Sequence, residues 1–292
     1  MRTIDPNEAD TKEFYGLLVG AVGPRPIAFA STIDAQGRAN LSPYSFFNAF
    51  SSNPPVLVFS SARRVRDNTT KDTLHNIEAT RQVVINIVNY AIVQQMSLSS
   101  TEYEPGVDEF LKSGLTKVAS ELVKPFRVKE SPVQMECEVE QIISLGNEGG
   151  AGNLFLCKVV KMHIDESILD EESKIDQHKI DQVARMGGNW YTRANMGMFE
   201  VLKPLRSQGM GVDALPQSIR ESKILTGNDL GKLGNLKKLP NSEEIDHFLA
   251  ENGHLKSLIE SGNKERIHIS AQELLYGDKA EDALKLLLAA QY

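Results

Sequence analysis

Residues 39–61 have the sequence ANLSPYSFFNAFSSNPPVLVFSS, and this stretch decides the fold of the 292-residue chain. Serines and asparagines alternate with aromatic residues in its first part, before the pair Pro54-Pro55. Apolar side chains beside hydroxyls and amides suit a flat aromatic ligand with a polar rim. A polar loop that packs on its own phenylalanines explains the same residues, and the stretch alone does not separate the two interpretations. We predict an irregular segment up to the prolines and a strand over residues 56–60.

Short strands and turns surround this stretch. Residues 27–33 predict a strand with large side chains on one face, and the chain turns at 34–37 to return as a second hairpin arm. Residues 82–88 predict a buried strand. Residues 134–145 and 153–164 predict a long hairpin that turns at 148–152. Closely spaced strands and turns favour an all-β barrel over a βαβ fold.

A helix is predicted with Thr69 or Thr70 as its N-cap, Asp72 in its first turn and its end near Thr80. Free amides at a helix start, together with cations, can bind phosphate. An ordinary surface helix with solvated charges is the alternative, and these residues taken in isolation favour it. Basic residues lie near the predicted start: Arg63, Arg64, Arg66 and Lys71.

The two cysteines, Cys137 and Cys157, fall in the long hairpin. With a turn centred near residues 149–150, Cys157 lies opposite Ile142, whose side chain faces away from that of Cys137. We therefore predict two buried free thiols rather than a disulfide. Glutamates at alternate positions of the first arm predict that one face is solvated or meets a partner: Glu136, Glu138 and Glu140.

Composition excludes some classes of function. The net charge is −7, and the chain has no basic block, which argues against nucleic-acid binding. No apolar run approaches the roughly 20 residues that span a bilayer. The N-terminal residues lack the pattern of a signal peptide, so we expect a cytoplasmic location. The spacings of His247, His254 and His268 match no metal-ligand motif, so no metal site is predicted.

Residues 24–61 resemble the opening of the flavin reductase-like family, whose members bind FMN on a split β-barrel. The resemblance continues through Lys71-Asp72-Thr73, residues 83–86 and Arg185-Met186-Gly187-Gly188, although the family more often has leucine where Met186 stands. It implies a mainly β fold with α additions: an FMN-binding split β-barrel over residues 1–205. Residues 206–292 are predicted to form a helical C-terminal extension.

The resemblance also implies an FMN site. Arg185 would face polar atoms at the flavin edge, and Asp72 would orient its neighbours rather than contact an anion. FMN carries the electron chemistry, so no catalytic acid–base pair is predicted. The isoalloxazine and ribityl chain would be framed by Pro43, Tyr44, Ser45, Phe46 and Asn48. The phosphate would be surrounded by Ser60, Ser61, Lys71, Asp72 and Thr73.

The implied function is an FMN-dependent oxidoreductase that reduces bound or exchangeable flavin with NADH or NADPH. Related split barrels are dimers with flavin near the interface, so we expect a homodimer. The alternative is a flavoredoxin-like carrier that holds FMN and exchanges electrons with a protein partner, without oxidising NADH or NADPH itself. A third hypothesis makes the helical extension a partner-binding module, although covering the barrel or extending a dimer interface explains its amphipathic helices more simply.

Overall fold

The computed structural model describes residues 1–104, 106–201 and 208–290. The chain forms two compact units, Met1–Phe199 and Glu200–Tyr292. The predicted boundary between residues 205 and 206 lies outside the described residues. The second unit has a hydrophobic core of its own, built from residues between 210 and 290.

The first unit consists of strands with helices between them. Its helices are α1 (Thr11–Ala21), α2 (Asp72–Thr80), α3 (Val93–Leu98) and α4 (Glu109–Ser113). Its strands are β1 (Ala28–Ile33), β2 (Ala39–Tyr44), β3 (Phe47–Ser52), β4 (Pro55–Ala62), β5 (Gln82–Ile87), β6 (Lys117–Val118), β7 (Arg127–Val128), β8 (Val133–Ser144), β9 (Gly152–Ile164), β10 (Val183–Arg185) and β11 (Tyr191–Arg193).

One seven-stranded antiparallel sheet has the strand order β2-β1-β5-β8-β9-β4-β3. Its two edge strands, β2 and β3, are joined in the chain by Ser45 and Phe46 alone. Two residues span only about 7 Å when fully extended. The sheet must therefore curl until its edges lie close together, which gives the barrel that the closely spaced turns predict.

The prediction of an irregular segment before the prolines is wrong, because residues 47–52 form β3. Among the described residues this strand pairs with β4 alone, and its register shifts between Ala49 and Ser51. Its side chains are mostly exposed. An edge strand pairs its backbone on one side only and tolerates such polar residues. The strand predicted at 56–60 is confirmed within β4.

The predicted start of α2 is wrong, and its predicted end at Thr80 is confirmed. The N-cap residue is Lys71, which makes no side-chain capping bond. Thr69 does not cap the helix because its hydroxyl bonds to Asp67 at 2.6 Å. The hydroxyl of Thr70 instead lies 2.8 Å from His75 Nε2. The first turn of α2 is consequently left without a side-chain cap.

Both cysteines are free and buried, as predicted. The reason given for this was wrong, because Cys157 lies opposite Val139 rather than Ile142. A bulge in β8, between Val139 and Gln141, shifts the register, and both thiols lie in the same core cluster. Burial raises the pKa of Cys137 and of Cys157, which leaves both thiols protonated and unreactive at neutral pH.

The expectation of a solvated glutamate face holds for part of β8. Glu138 and Glu140 are exposed, whereas Glu136 is completely buried. The Glu136 carboxylate accepts hydrogen bonds from the backbone amides of residues 121–123, so it anchors the loop between β6 and β7. The alternation of the three glutamates gives no sign that Glu136 accepts hydrogen bonds from backbone amides, whereas the other two face solvent.

The second unit confirms the predicted helical extension. Its helices are α5 (Gln217–Arg220), α6 (Gly227–Gly234), α7 (Ser242–Glu251), α8 (Gly253–Glu260), α9 (Lys264–Tyr276) and α10 (Ala280–Ala289). Capping boxes start α6, with Thr226 and Asp229, and α7, with Asn241 and Glu244. In the described parts of the chain, no helix has the length and apolarity needed to cross a membrane.

Candidate functional site

Lys71 lies where the start of α2 meets the end of β2. Its Nζ donates to Ser42 Oγ at 3.3 Å and lies 4.9 Å from the centre of the Tyr44 ring. Within residues 1–104, 106–201 and 208–290, no carboxylate forms an ion pair with this ammonium group. The start of a helix carries a partial positive charge, and here a cation is added to it. This position can therefore accept an anion.

A buried polar network holds α2 against β1 and β2. Thr73 is completely buried, and its hydroxyl accepts a hydrogen bond from Asn40 Nδ2 at 3.0 Å. Asn40 and Asn76 each donate to Thr32 Oγ1, also at 3.0 Å. Thr73 was predicted to lie beside the FMN phosphate, but its hydroxyl already accepts a hydrogen bond that holds α2 against β2. Asp72 is exposed at the first helical position, where a carboxylate complements the helix dipole.

The stretch from Pro43 to Asn48 divides between the barrel interior and its surface. Tyr44 is buried, with its ring centre 5.2 Å from that of Phe59. The Tyr44 hydroxyl is buried without a hydrogen-bond partner in the described parts of the chain. Phe46 is exposed and packs against Tyr15 of α1 at a ring distance of 6.3 Å. Exposed or partly exposed residues of the stretch are Pro43, Ser45, Phe46 and Asn48.

Ser60 and Ser61 lie on β4 and are almost completely buried. The Ser60 amide donates to the Phe46 carbonyl at 2.9 Å, which joins the two predicted groups of site residues. A Cβ at Gly152, on the neighbouring strand, would come within 2.7 Å of Ser60 Oγ. Gly152 therefore makes the room in which the Ser60 hydroxyl lies.

Arg185 lies in the small sheet of β10 and β11 and is engaged within it. Its guanidinium bonds to the Tyr191 hydroxyl, lies 4.6 Å from the Tyr191 ring centre and donates to the Gly188 carbonyl at 2.6 Å. Its backbone pairs with Arg25, just before β1. Among the described residues, Arg185 forms no hydrogen bond with another predicted site residue. The structure thus brings Lys71 to Tyr44 and Ser60 to Phe46, but leaves Arg185 apart.

The predicted site residues did not include Ser42, Asn40 or Glu102, although Asn40 and Ser42 belong to the polar residues of the opening stretch. Ser42 precedes Tyr44 by two residues on β2, and this spacing puts both side chains on one face of the strand. That signal was available in the sequence. The ion pairs of Glu102 with Arg64 and Arg66 had no sequence signal, because 38 and 36 residues separate the partners.

Glu109, at the start of α4, carries a partly buried carboxyl group that contacts β2. Its Oε2 accepts a hydrogen bond from the Leu41 amide, on the outer edge of β2, at 3.0 Å. Burial raises the pKa of Glu109, and the bond from Leu41 opposes this shift. Nearby Asp72 adds a smaller upward contribution. Glu109 thereby satisfies an edge amide that would otherwise be open to another strand.

Known proteins resemble this chain in sequence or in fold. An uncharacterised protein of Aquifex aeolicus is 35% identical over 187 residues, which cover 64% of this chain and 93% of that protein. Nitrilotriacetate monooxygenase component B from Bacillus cereus has a TM-score of 0.65 at 30% identity, and covers 69% of this chain and 98% of its own.

A Shewanella frigidimarina protein described as a flavin reductase with a split barrel domain has a TM-score of 0.57 at 25% identity. That match covers 68% of this chain and 94% of the other. The curled antiparallel sheet with added helices is the split β-barrel that the family resemblance implies. These likenesses support a flavin cofactor and an oxidoreductase role. Residues 22–182 match the family described as Flavin reductase like domain, and the chain belongs to that family.

Proposed function

We propose that this chain binds FMN with its phosphate at the start of α2 and reduces flavin with NADH or NADPH. One observation carries the proposal: the ammonium of Lys71, which forms no ion pair within the described residues, lies at a helix start without a side-chain cap, beside Ser42 and Tyr44. Family membership supports a flavin as the ligand. The phosphate of FMN supplies the anion that this arrangement favours.

The residues present fit such a ligand. Lys71 and the first amides of α2 would hold the phosphate, and the Ser42 hydroxyl would orient the ammonium. The exposed ring of Phe46 would cover part of the flavin, and a polar ligand atom could satisfy the Tyr44 hydroxyl, which lacks a partner in the described residues. When bound, FMN supplies the hydride and electron chemistry. The polypeptide binds it, orients it and excludes water.

A homodimer is part of this proposal. Large apolar side chains are exposed on α1 and β3, including Tyr15 at 53%, Leu17 at 43% and Phe50 at 68%. Neighbouring exposed apolar groups often mark protein interfaces. A second copy of the chain would cover them and lie beside the Phe46 side of the site. Light scattering on the purified protein tests this, and a monomer at micromolar concentration would contradict it.

The function is tested with purified protein, by FMN titration and by the oxidation of NADH and NADPH. We expect saturable FMN binding and oxidation of one nicotinamide cofactor that depends on both protein and FMN. Tight FMN binding without any such oxidation would favour the flavoredoxin-like electron carrier. Absence of FMN binding would contradict both. A cytoplasmic location stays a prediction.

Removing residues 208–292 is expected to leave FMN binding largely intact. The family match ends at residue 182, and the second unit has its own core. The expected losses are in stability or dimerisation, measured by thermal unfolding and light scattering against the full chain. A folded truncated protein without any FMN affinity would contradict this prediction, because the helical unit would then contribute to the site.

A further inference from the structure

Two arginines in the segment that leads to the proposed phosphate site share one carboxylate, and Arg66 is also paired with Asp67 Oδ2 at 3.0 Å. Glu102, in the segment between α3 and α4, accepts from Arg66 Nη2 at 2.5 Å and from Arg64 Nε at 3.2 Å. Its side chain is 49% exposed. The carboxylate therefore joins two distant parts of the chain while its own side chain is free to move into solvent.

Arg64 also contacts the residues that lead into α2. Its Nη1 donates to Thr69 Oγ1 at 2.8 Å and to the Thr70 carbonyl at 3.0 Å. Thr70 is followed directly by Lys71, the N-cap residue of α2. The Arg64 guanidinium, which Glu102 binds, is thus held against Thr70, the residue directly before Lys71.

We infer that Glu102 is an internal competitor for the phosphate of the flavin. In the free protein its carboxylate binds Arg64 and Arg66, and it leaves them when a ligand phosphate arrives at the start of α2. The inference rests on the proposed function. It adds that Arg64, which contacts Thr69 and Thr70, joins the phosphate site only after Glu102 has moved away, whereas Arg66 keeps its ion pair with Asp67.

The chemistry of the two anions makes the exchange favourable. Carboxylate and phosphate both accept hydrogen bonds from guanidinium groups, and a phosphate monoester carries about −1.5 to −2 charges at neutral pH. Glu102 offers a single charge on an exposed side chain, and exposed ion pairs are weak. Hydrogen bonding from Arg66, reinforced by Arg64, lowers the pKa of Glu102, so the competitor is ionised at neutral pH.

Such competition raises the apparent FMN dissociation constant. The intrinsic constant is divided by the fraction of molecules in which Glu102 has left the arginines. If Glu102 has left the arginines in about a tenth to a third of the molecules, removing its charge strengthens FMN binding about threefold to tenfold. The effect depends on the ligand phosphate. Riboflavin, which has the same ring system without phosphate, should not benefit.

The test compares Glu102→Gln with wild type in fluorescence titrations with FMN and with riboflavin. The expected result is an FMN dissociation constant about threefold to tenfold lower in the variant, with that of riboflavin unchanged. Glu104→Gln is the matched control. It removes one negative charge from the same segment, and in the described residues Glu104 forms no ion pair. This control should leave both constants unchanged.

Unchanged or weaker FMN binding in Glu102→Gln would overturn the inference and leave the proposed function standing. Equal strengthening in the two variants would also overturn it, because a general change in net charge would then explain the effect. A wild-type protein that binds no FMN would refute the proposed function and this inference together. Melting temperatures of all three proteins establish that each is folded during the titrations.

Discussion

Replacing Lys71 with alanine is expected to raise the FMN dissociation constant about tenfold to a hundredfold. The proposed phosphate would lose a charge-assisted hydrogen bond, which is worth about 1.5–3 kcal/mol. The riboflavin dissociation constant should stay the same, because this ligand has no phosphate. Fluorescence titration of both ligands at low salt measures the two effects. Added salt should narrow the difference between wild type and variant, since screening weakens the interaction that was removed.

The same substitution should change the stability of the ligand-free protein only slightly. A cation at the start of α2 opposes the helix dipole, so its removal favours the helix by a few tenths of a kcal/mol. The structure adds an opposing contribution, the contact of Lys71 with the Tyr44 ring at 4.9 Å. Such cation–π contacts are worth about 0.5–1 kcal/mol where exposed, so the two effects nearly cancel. Chemical denaturation of the free protein measures the sum.

Lys124→Ala is the matched control for this experiment. It removes one exposed lysine that forms no ion pair in the described residues and lies in the loop after β6. It should change neither dissociation constant. If Lys71→Ala bound FMN as tightly as wild type at low salt, Lys71 would be a solvated surface charge. The phosphate would then belong at one of the three arginines, Arg63, Arg64 or Arg66.

The strands were predictable where local pattern determines structure. Alternation and turn residues identify β1, β2 and the long hairpin of β8 and β9 to within a few residues. The strand β3 was missed because an edge strand with exposed polar residues has the composition of a loop. The register of the hairpin was missed for two reasons. Ser144 pairs with Asn153, so the turn is centred before residues 149–150, and a bulge between Val139 and Gln141, which no local residue signals, shifts the register further.

The candidate site was predictable in its residues but not in its contacts. The opening stretch and Lys71 are far apart in sequence, and the structure joins them through Ser42 and Tyr44. Local propensity placed the helix cap at Thr69 or Thr70, but hydrogen bonds to other residues occupy both hydroxyls. Arg185 was expected at the flavin edge, and its bonds to Tyr191 and Gly188 depend on a hairpin that only the fold reveals.

Glu136→Gln is expected to lower the free energy of unfolding by about 2–4 kcal/mol at pH 7. Three backbone amides, those of residues 121–123, donate to this buried carboxylate at 2.6–3.1 Å, and His163 Nε2 lies 2.7 Å away. Glutamine has nearly the same volume, but its NH₂ group would face amide donors instead of accepting from them. Chemical denaturation measures the change, and Glu140→Gln, on the exposed face of β8, is the control without an expected effect.

The pH dependence separates the loss of this charge from a packing defect. Burial would raise the pKa of Glu136, but hydrogen bonds from the loop amides and His163 outweigh it and lower the pKa from 4.5 to about 2. Because the folded-state pKa is depressed, the stabilisation is complete above pH 4.5 and is lost as the pH falls towards 2. This shift corresponds to about 3 kcal/mol. Wild type and Glu136→Gln should therefore differ clearly at pH 5 and converge at lower pH, since protonation removes the same charge from wild type. A difference that persisted undiminished to pH 3 would show that the glutamine disturbs packing, and that the carboxylate charge does not hold the loop.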